Sequence, residues 1–380
     1  MSEMILTNAR IVTGSEVIDG TIASRGGVIR EISEGRSQLP SAIDCDGDTI
    51  IPGLIELHTD NLERHVMPRP ATFWPCDAAV LGHDREIASA GITTVFNALC
   101  VGEVHSRTAR VQLLNEMSDA IEEQMADGAL KADHFFHWRC EVSYSGMIDL
   151  LEPLMSYKRL RLLSAMDHTP GQRQFTDLAR YIEYYQGKFG MSEEELNAFI
   201  AQREEDQRNH SAKNRAAVVS FARERGLTLA SHDDATPAHV AEAVDDGMAI
   251  AEFPTTVEAA KASHDAGLRV LMGAPNIVRG KSHSGNVSAR ELGEKGVLDI
   301  LSSDYVPGSL LYGALLLEQS AESITLPQAI ATVTRNPARS VGLNDRGEIA
   351  LGLRADLVRY HVTKKAPIIR DVWREGRKVA

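Results

Sequence analysis

The chain opens on short β-branched runs broken by glycine and aspartate. "MILTNARIVTGSEVIDGTIASRGGVIREISEG" alternates apolar and polar positions with the period of two that marks strands, and Thr-Gly, Asp-Gly and Gly-Gly punctuate it. The far end, "GEIALGLRADLVRYHVTKKAPIIRDVWREGRKVA", has the same texture. Neither piece has enough apolar residues for a core of its own. Together they predict one small β-sandwich built from both termini, over residues 1–53 and 341–380.

Between them, strand-like runs alternate with helix-like runs, the pattern of a parallel sheet with crossover helices. The candidate strands are "IIPGLIELHTD", "ITTVFNAL", "DHFFHWRCEV", "RLLSAMDH", "LTLASHDD", "AIAEFPTT", "RVLMGAPN" and "LDILSSDY". Ser192 with Glu195 forms a capping box whose helix ends at Gly226, and Thr236-Pro237 opens a helix that Gly247 closes. Eight strands predict a distorted (β/α)8 barrel over residues 54–340. The stretch from His58 to Asp304 is about 250 residues, the usual length of that fold.

Composition narrows the class. With 43% hydrophobic and 24% charged residues in 380, the chain reads as ordinary globular protein. No apolar run approaches the roughly 18 residues of a membrane span, and the first residues lack the pattern of a secretory signal. Cys45, Cys76, Cys100 and Cys140 are scattered with no CxxC, which predicts a reducing, cytoplasmic setting and neither a zinc ribbon nor a redox pair. A net charge of −13 argues against nucleic acid as a partner. It leaves room for an anionic small molecule, because a pocket can carry a field of its own.

The active site of such a barrel lies at the C-terminal ends of its strands. Reading those ends gives His58 and Asp60, then Glu141, His168, His232 and Asp304. Imidazole and carboxylate ligate Zn²⁺ or Mn²⁺, and positions i, i+2 on a strand share a face. Taken singly, each residue has a plainer reading. A strand-end histidine can be a satisfied polar group, Asp304 a helix cap, and Glu141 an ion-pair partner of Arg139. Six together predict a metal site.

At these residues the chain resembles the amidohydrolase superfamily. "PGLIELHTDN" is similar to its first-strand signature, with Asp60 where most members carry a second histidine. "NPARSVGLNDRGEIALGLRADLV" and "VWREGRKV" resemble its C-terminal return into the sandwich. The resemblance implies one or two divalent metals, zinc first with manganese or iron as alternatives. They would be held by His58, Asp60, His168, His232 and Asp304 around a bridging carboxylate. Many members use a carboxylated lysine as that bridge. Lys131 and Lys158 precede their strands here, and Glu141 is the residue implied, as in glutamate-bridged members.

"HTDNLERHVMPRP", "HWRCEVS", "SAMDHTPGQRQF", "EFPTT" and "GAPNIVRGKSHSGN" resemble a narrower group, the PhnM family of diphosphatases in the carbon–phosphorus lyase pathway. That resemblance implies release of pyrophosphate from α-D-ribose 1-methylphosphonate 5-triphosphate, with Asp304 as proton acceptor. A triphosphate needs cations along its oxygens and a metal-activated water. Arg64, His65, Arg69, Arg173, Lys188, Arg279, Lys281 and His283 follow the strands. In "NIVRGKSHSGN", Asn276, His283 and Ser284 add hydrogen bonds to the charges of Arg279 and Lys281. A homodimer is the expected assembly. The alternative is a C–N hydrolase acting on a cyclic amide or an amino-purine, which the fold allows and the cation-rich loops disfavour.

Overall fold

The computed structural model describes residues 3–70, 72–103, 110–173, 182, 190–280, 286–364 and 366–380. Strands from both ends of the chain form one mixed sheet. Its members are β1 (Glu3–Val12), β2 (Val17–Arg25), β3 (Val28–Glu34), β4 (Ile43–Asp44) and β5 (Thr49–Pro52). Eight parallel strands follow: β6 (Leu54–Thr59), β7 (Ile92–Val101), β8 (Asp133–Glu141), β9 (Leu160–Met166), β10 (Thr228–His232), β11 (Ile250–Glu252), β12 (Arg269–Gly273) and β13 (Ile300–Ser302). The chain then returns to the first sheet as β14 (Leu357–Val362), β15 (Pro367–Arg374) and β16 (Arg377–Lys378), with β14 pairing β5. The first sheet curls on itself, since the β2–β3 turn at Gly27 accepts from Ala355 N and Ile29 N donates to Leu353 O. Leu6, Ile11, Ile22, Ile29, Leu357 and Trp373 fill its concave side.

The barrel strands pair in chain order from β6 to β13. Closure is made by a short parallel bridge between Thr59 and Asp304 together with side-chain bonds. Thr59 Oγ1 donates to Asp304 O at 2.6 Å, Ser302 Oγ donates to His58 O at 2.6 Å, and the buried Glu56 carboxylate accepts from Ser303 N. Ile55, Leu57, Phe96, Leu162, Ala230, Ile250, Leu271 and Ile300 form the barrel's inner apolar layer. The outer layer is closed by helices such as Cys76–Ser89 and Glu193–Arg225. No helix among the described residues is long and apolar enough to cross a membrane.

The helix signals read from the sequence hold. Ser192 and Glu195 form the reciprocal capping box of Glu193–Arg225, which ends on Gly226 at φ 62°. Thr236 caps Pro237–Asp245. The run "IIPGLIELHTD" differs from its expectation, because it is two strands in two sheets. Gly53 is the joint, and its lack of a side chain is required: a Cβ there would lie 2.2 Å from Thr93 Oγ1.

Candidate metal centre

On β8, Phe136, Trp138 and Cys140 pack into the helix layer, so His137, Arg139 and Glu141 alternate onto the inward face. Glu141 ends the strand. It accepts from His168 Nδ1 at 2.7 Å, from His168 N at 3.1 Å and from Ser143 Oγ at 2.7 Å.

His168, just past β9, turns Nε2 to 3.8 Å from Asp233 Oδ2, and His232 at the end of β10 brings Nε2 to 3.5 Å from that oxygen. The other face of His232 meets Glu252, with Nδ1 3.2 Å from Oε2. Glu252 ends β11, and its Oε1 lies 3.0 Å from His58 Nδ1. The His58 and His232 rings stack with centroids 5.7 Å apart. Among the described residues, two sets therefore have metal-site spacing, His58–His232–Glu252 and His168–His232–Asp233, each with one donor atom per residue within 4.8 Å of the others. His232 belongs to both.

Asp233 Oδ2 is buried and makes no hydrogen bond. A buried carboxylate oxygen left unsatisfied while two imidazole nitrogens face it fits a divalent cation, which accepts this mixture of nitrogen and oxygen donors. The cluster has the donor set and burial of a metal site.

Burial sets the electrostatics. With the positive charge of Arg139 added, it holds the His58 imidazole well below its ordinary value, and it pushes His232 down to about 3. Both rings are neutral, as ligands must be. Burial opposes protonation of His168 too, but Glu141 and Asp233 outweigh it and hold that ring above its ordinary value. Burial raises the Asp233 carboxyl to about 7. Burial, followed by the facing charge of Asp60, raises Asp304 to about 7 as well. Asp304 caps no helix, because the next one starts at Ser309 behind Gly308.

The backbone at this rim is unusual. Asp233, Phe253 and Asp304, each just beyond a strand end, have φ of 57°, 53° and 54°. Aspartate visits the left-handed region at modest cost, whereas a bulky phenylalanine there is an outlier of the sort that gathers at functional sites.

The loop cations are placed less uniformly. Arg64 is exposed and donates to Asn61 Oδ1 at 3.2 Å and to Tyr305 O at 2.8 Å. His65 turns to the Cys76–Ser89 helix, where Nε2 lies 2.8 Å from Glu86 Oε2. Arg173 is buried between Asp234 and Glu242. Asn276 bonds Val287 O at 3.4 Å and Ala289 N at 3.1 Å. Arg279 is exposed at the end of the helix Ala274–Arg279. Lys188, Lys281, His283 and Ser284 lie outside the described residues.

Sequence reasoning did not single out Glu252 or Asp233. The available signal was positional, since Glu252 ends the sixth barrel strand and Asp233 follows His232 directly.

Comparison with known proteins adds the family. A model of the amidohydrolase family matches residues 79–380. The α-D-ribose 1-methylphosphonate 5-triphosphate diphosphatase of Escherichia coli (strain K12) is 46% identical over 377 residues, 99% of this chain and 100% of that one. Among solved structures, N-isopropylammelide isopropylaminohydrolase from Burkholderia multivorans matches 100% of this chain and 98% of its own with a TM-score of 0.68 at 17% identity. A 5-methylcytosine deaminase from Klebsiella pneumoniae gives 0.65 at 16% identity, over 99% of this chain and 97% of its own. At those identities the structural likeness speaks for the fold alone. With its barrel, its buried histidine–carboxylate cluster and a family match over most of its length, the chain belongs to the amidohydrolase family.

Proposed function

We propose that this protein is a metal-dependent phosphohydrolase that releases pyrophosphate from α-D-ribose 1-methylphosphonate 5-triphosphate and leaves the 5-phosphate, a step of phosphonate degradation. The observation that carries this reading is the 46% identity to a diphosphatase of that specificity across both chains from end to end.

In this reading, His58, Asp60, Glu141, His168, His232 and Asp304 would hold one or two divalent ions, zinc first with manganese or iron as alternatives, with Glu141 as the carboxylate they would share. Asp233 and Glu252 add negative charge to the same cluster. When bound, the metal supplies positive charge that activates water and offsets charge on the phosphoryl oxygens. Asp304, just past the last barrel strand, would take the proton of the attacking water. Arg279 and Lys281 hold the departing pyrophosphate, with hydrogen bonds from their loop.

The test is product analysis. Incubation with the ribose triphosphate should release pyrophosphate, so that inorganic phosphate appears only when a pyrophosphatase is added. A chelator should abolish the reaction, and Zn²⁺ or Mn²⁺ should restore it. Full turnover by demonstrably metal-free protein, or ring opening of cyclic amides or release of ammonia from amino-purines in place of pyrophosphate, would overturn the reading.

A further inference from the structure

Behind the metal cluster, between the barrel wall and the Cys76–Ser89 helix, runs a second polar system that the chemistry above does not use. Its members are buried: Asn61, His83, Asn97 and His134 are 0% exposed and Asp84 is 1% exposed. Asn61 Nδ2 lies 3.2 Å from His83 Nδ1, and His83 Nε2 lies 3.1 Å from Asn97 Oδ1. Asn97 Nδ2 lies 3.3 Å from His134 Nδ1, and His134 Nε2 lies 3.2 Å from Asp84 Oδ1. Asp84 also accepts from the backbone of Lys131 and Ala132.

The directions of these bonds are mutually fixed. A carboxylate accepts, so His134 donates from Nε2 and accepts at Nδ1 from the Asn97 amide. The Asn97 oxygen then accepts from His83 Nε2, which leaves His83 Nδ1 to accept from Asn61. His83, which accepts at Nδ1 and donates from Nε2, is neutral. Burial, followed by the neighbouring histidines, pushes His83 down to about 3, in keeping with that assignment. The second amide hydrogen of Asn61 meets Glu86 Oε2 at 2.9 Å, and its oxygen accepts from Arg64. Every hydrogen-bonding site on the Asn61 amide group is engaged or faced by a partner, in a layer that is otherwise apolar. A fully satisfied buried network fixes one geometry, whereas a partly satisfied one is costly.

What it fixes is the turn after β6. Asn61 follows Asp60 directly, and its backbone N–H donates to Thr59 Oγ1, the hydroxyl that itself donates to Asp304 O. We infer that the chain Asp84–His134–Asn97–His83 locks Asn61 and thereby aims Asp60 at the metal, with His83 as a positioning residue. This rests on the proposal that Asp60 is a ligand. Outer hydrogen-bond partners of ligands matter for affinity in general, here reached from the far side of the barrel wall.

The test uses the metal-stripped full chain, with Zn²⁺ affinity read by chelator competition and geometry by the visible spectrum of the Co²⁺-loaded protein. Asp60→Ala defines the loss when the ligand itself is gone. His83→Leu should weaken Zn²⁺ about 10- to 100-fold and shift the Co²⁺ bands. His83→Gln, whose amide accepts and donates at a similar spacing, should bind close to the parent protein. Asn61→Ala reads the same link from its other end and carries the test if thermal melting shows His83→Leu unfolded. Parent-like affinity and bands in Asn61→Ala, beside a clear loss in Asp60→Ala, would overturn the inference and spare the ligand reading. Equal losses in His83→Gln and His83→Leu would also overturn it, since ring shape and not hydrogen bonding would then matter. No loss in Asp60→Ala would remove the ligand reading and the inference with it.

Discussion

His58 Nδ1 lies 3.0 Å from Glu252 Oε1 at a depth where neither side chain reaches solvent. The second oxygen of that carboxylate faces His232 Nδ1 at 3.2 Å. Burial alone would raise the Glu252 carboxyl, but His137 and His232 outweigh it and keep the group below its ordinary value, hence ionised. An ionised carboxylate only accepts, so both rings donate from Nδ1 and are left with Nε2 as the free lone pair. One glutamate thus sets the tautomer of two histidines.

Glu252→Gln should therefore weaken metal binding while leaving the barrel folded. An amide accepts with one atom only, so one of the two rings loses its acceptor and its fixed tautomer. Zn²⁺ affinity should fall about 10- to 100-fold by chelator competition. Parent-like affinity would mean that the two rings are held by packing alone.

The histidines of this site are legible in the sequence because they end strands, and strand ends are set by local apolar runs. Glu252 also ends a strand, yet in "AIAEFPTT" it reads like any carboxylate on a half-exposed strand. Its partner His58 is 194 positions away. The same reason hides the engagement of Arg173 with Asp234 and Glu242, and of His65 with Glu86, since charge is visible in sequence and its neutralisation is not. The fold shows this contrast as well. Capping at Ser192 and Thr236 is written within four residues and holds. The break at Gly53 falls on a Pro-Gly pair that does mark it locally, whereas the close approach of Thr93 that excludes a side chain there comes from forty positions on.

Asp133 at the start of β8 ties the barrel to the C-terminal strands. Its carboxylate lies 2.7 Å from Arg346, 2.8 Å from Arg354 and 3.4 Å from Arg374. Burial would raise its carboxyl, but these three charges outweigh it and hold the group below the ordinary carboxylate value. A depressed carboxyl contributes stability that is present above the unfolded value of about 4 and is lost as pH falls through the folded one. Asp133→Asn should cost about 3 kcal/mol of unfolding free energy at pH 7, the scale for breaking one side of a buried pair. That difference from the parent should shrink as denaturation is repeated below about pH 4. A difference that stays constant with pH would assign the loss to packing.

The last prediction concerns the loop after β12. The chain carries −13, a charge that repels a polyanion unless the pocket has a positive field of its own. In the proposed reaction a metal at the scissile phosphorus would supply part of that field, yet the departing pyrophosphate would extend beyond it. Arg279 stands exposed where the helix Ala274–Arg279 gives way to Gly280, which turns the chain with φ 77°. Asn276, one turn earlier, bonds Val287 O and Ala289 N and so ties the returning chain to the helix that carries Arg279. The base of the loop is held, and the cation sits at its edge. A charge-assisted contact to phosphate contributes roughly 1.5–3 kcal/mol, so Arg279→Ala should lower kcat/KM for the ribose triphosphate by roughly 10- to 100-fold. The loss should be smaller with a diphosphate analogue, in which one of the partners is already missing. Melting temperature should not change, because an exposed side chain at a helix end contributes little to the fold. Equal losses on both substrates, or none, would take Arg279 out of the phosphate site.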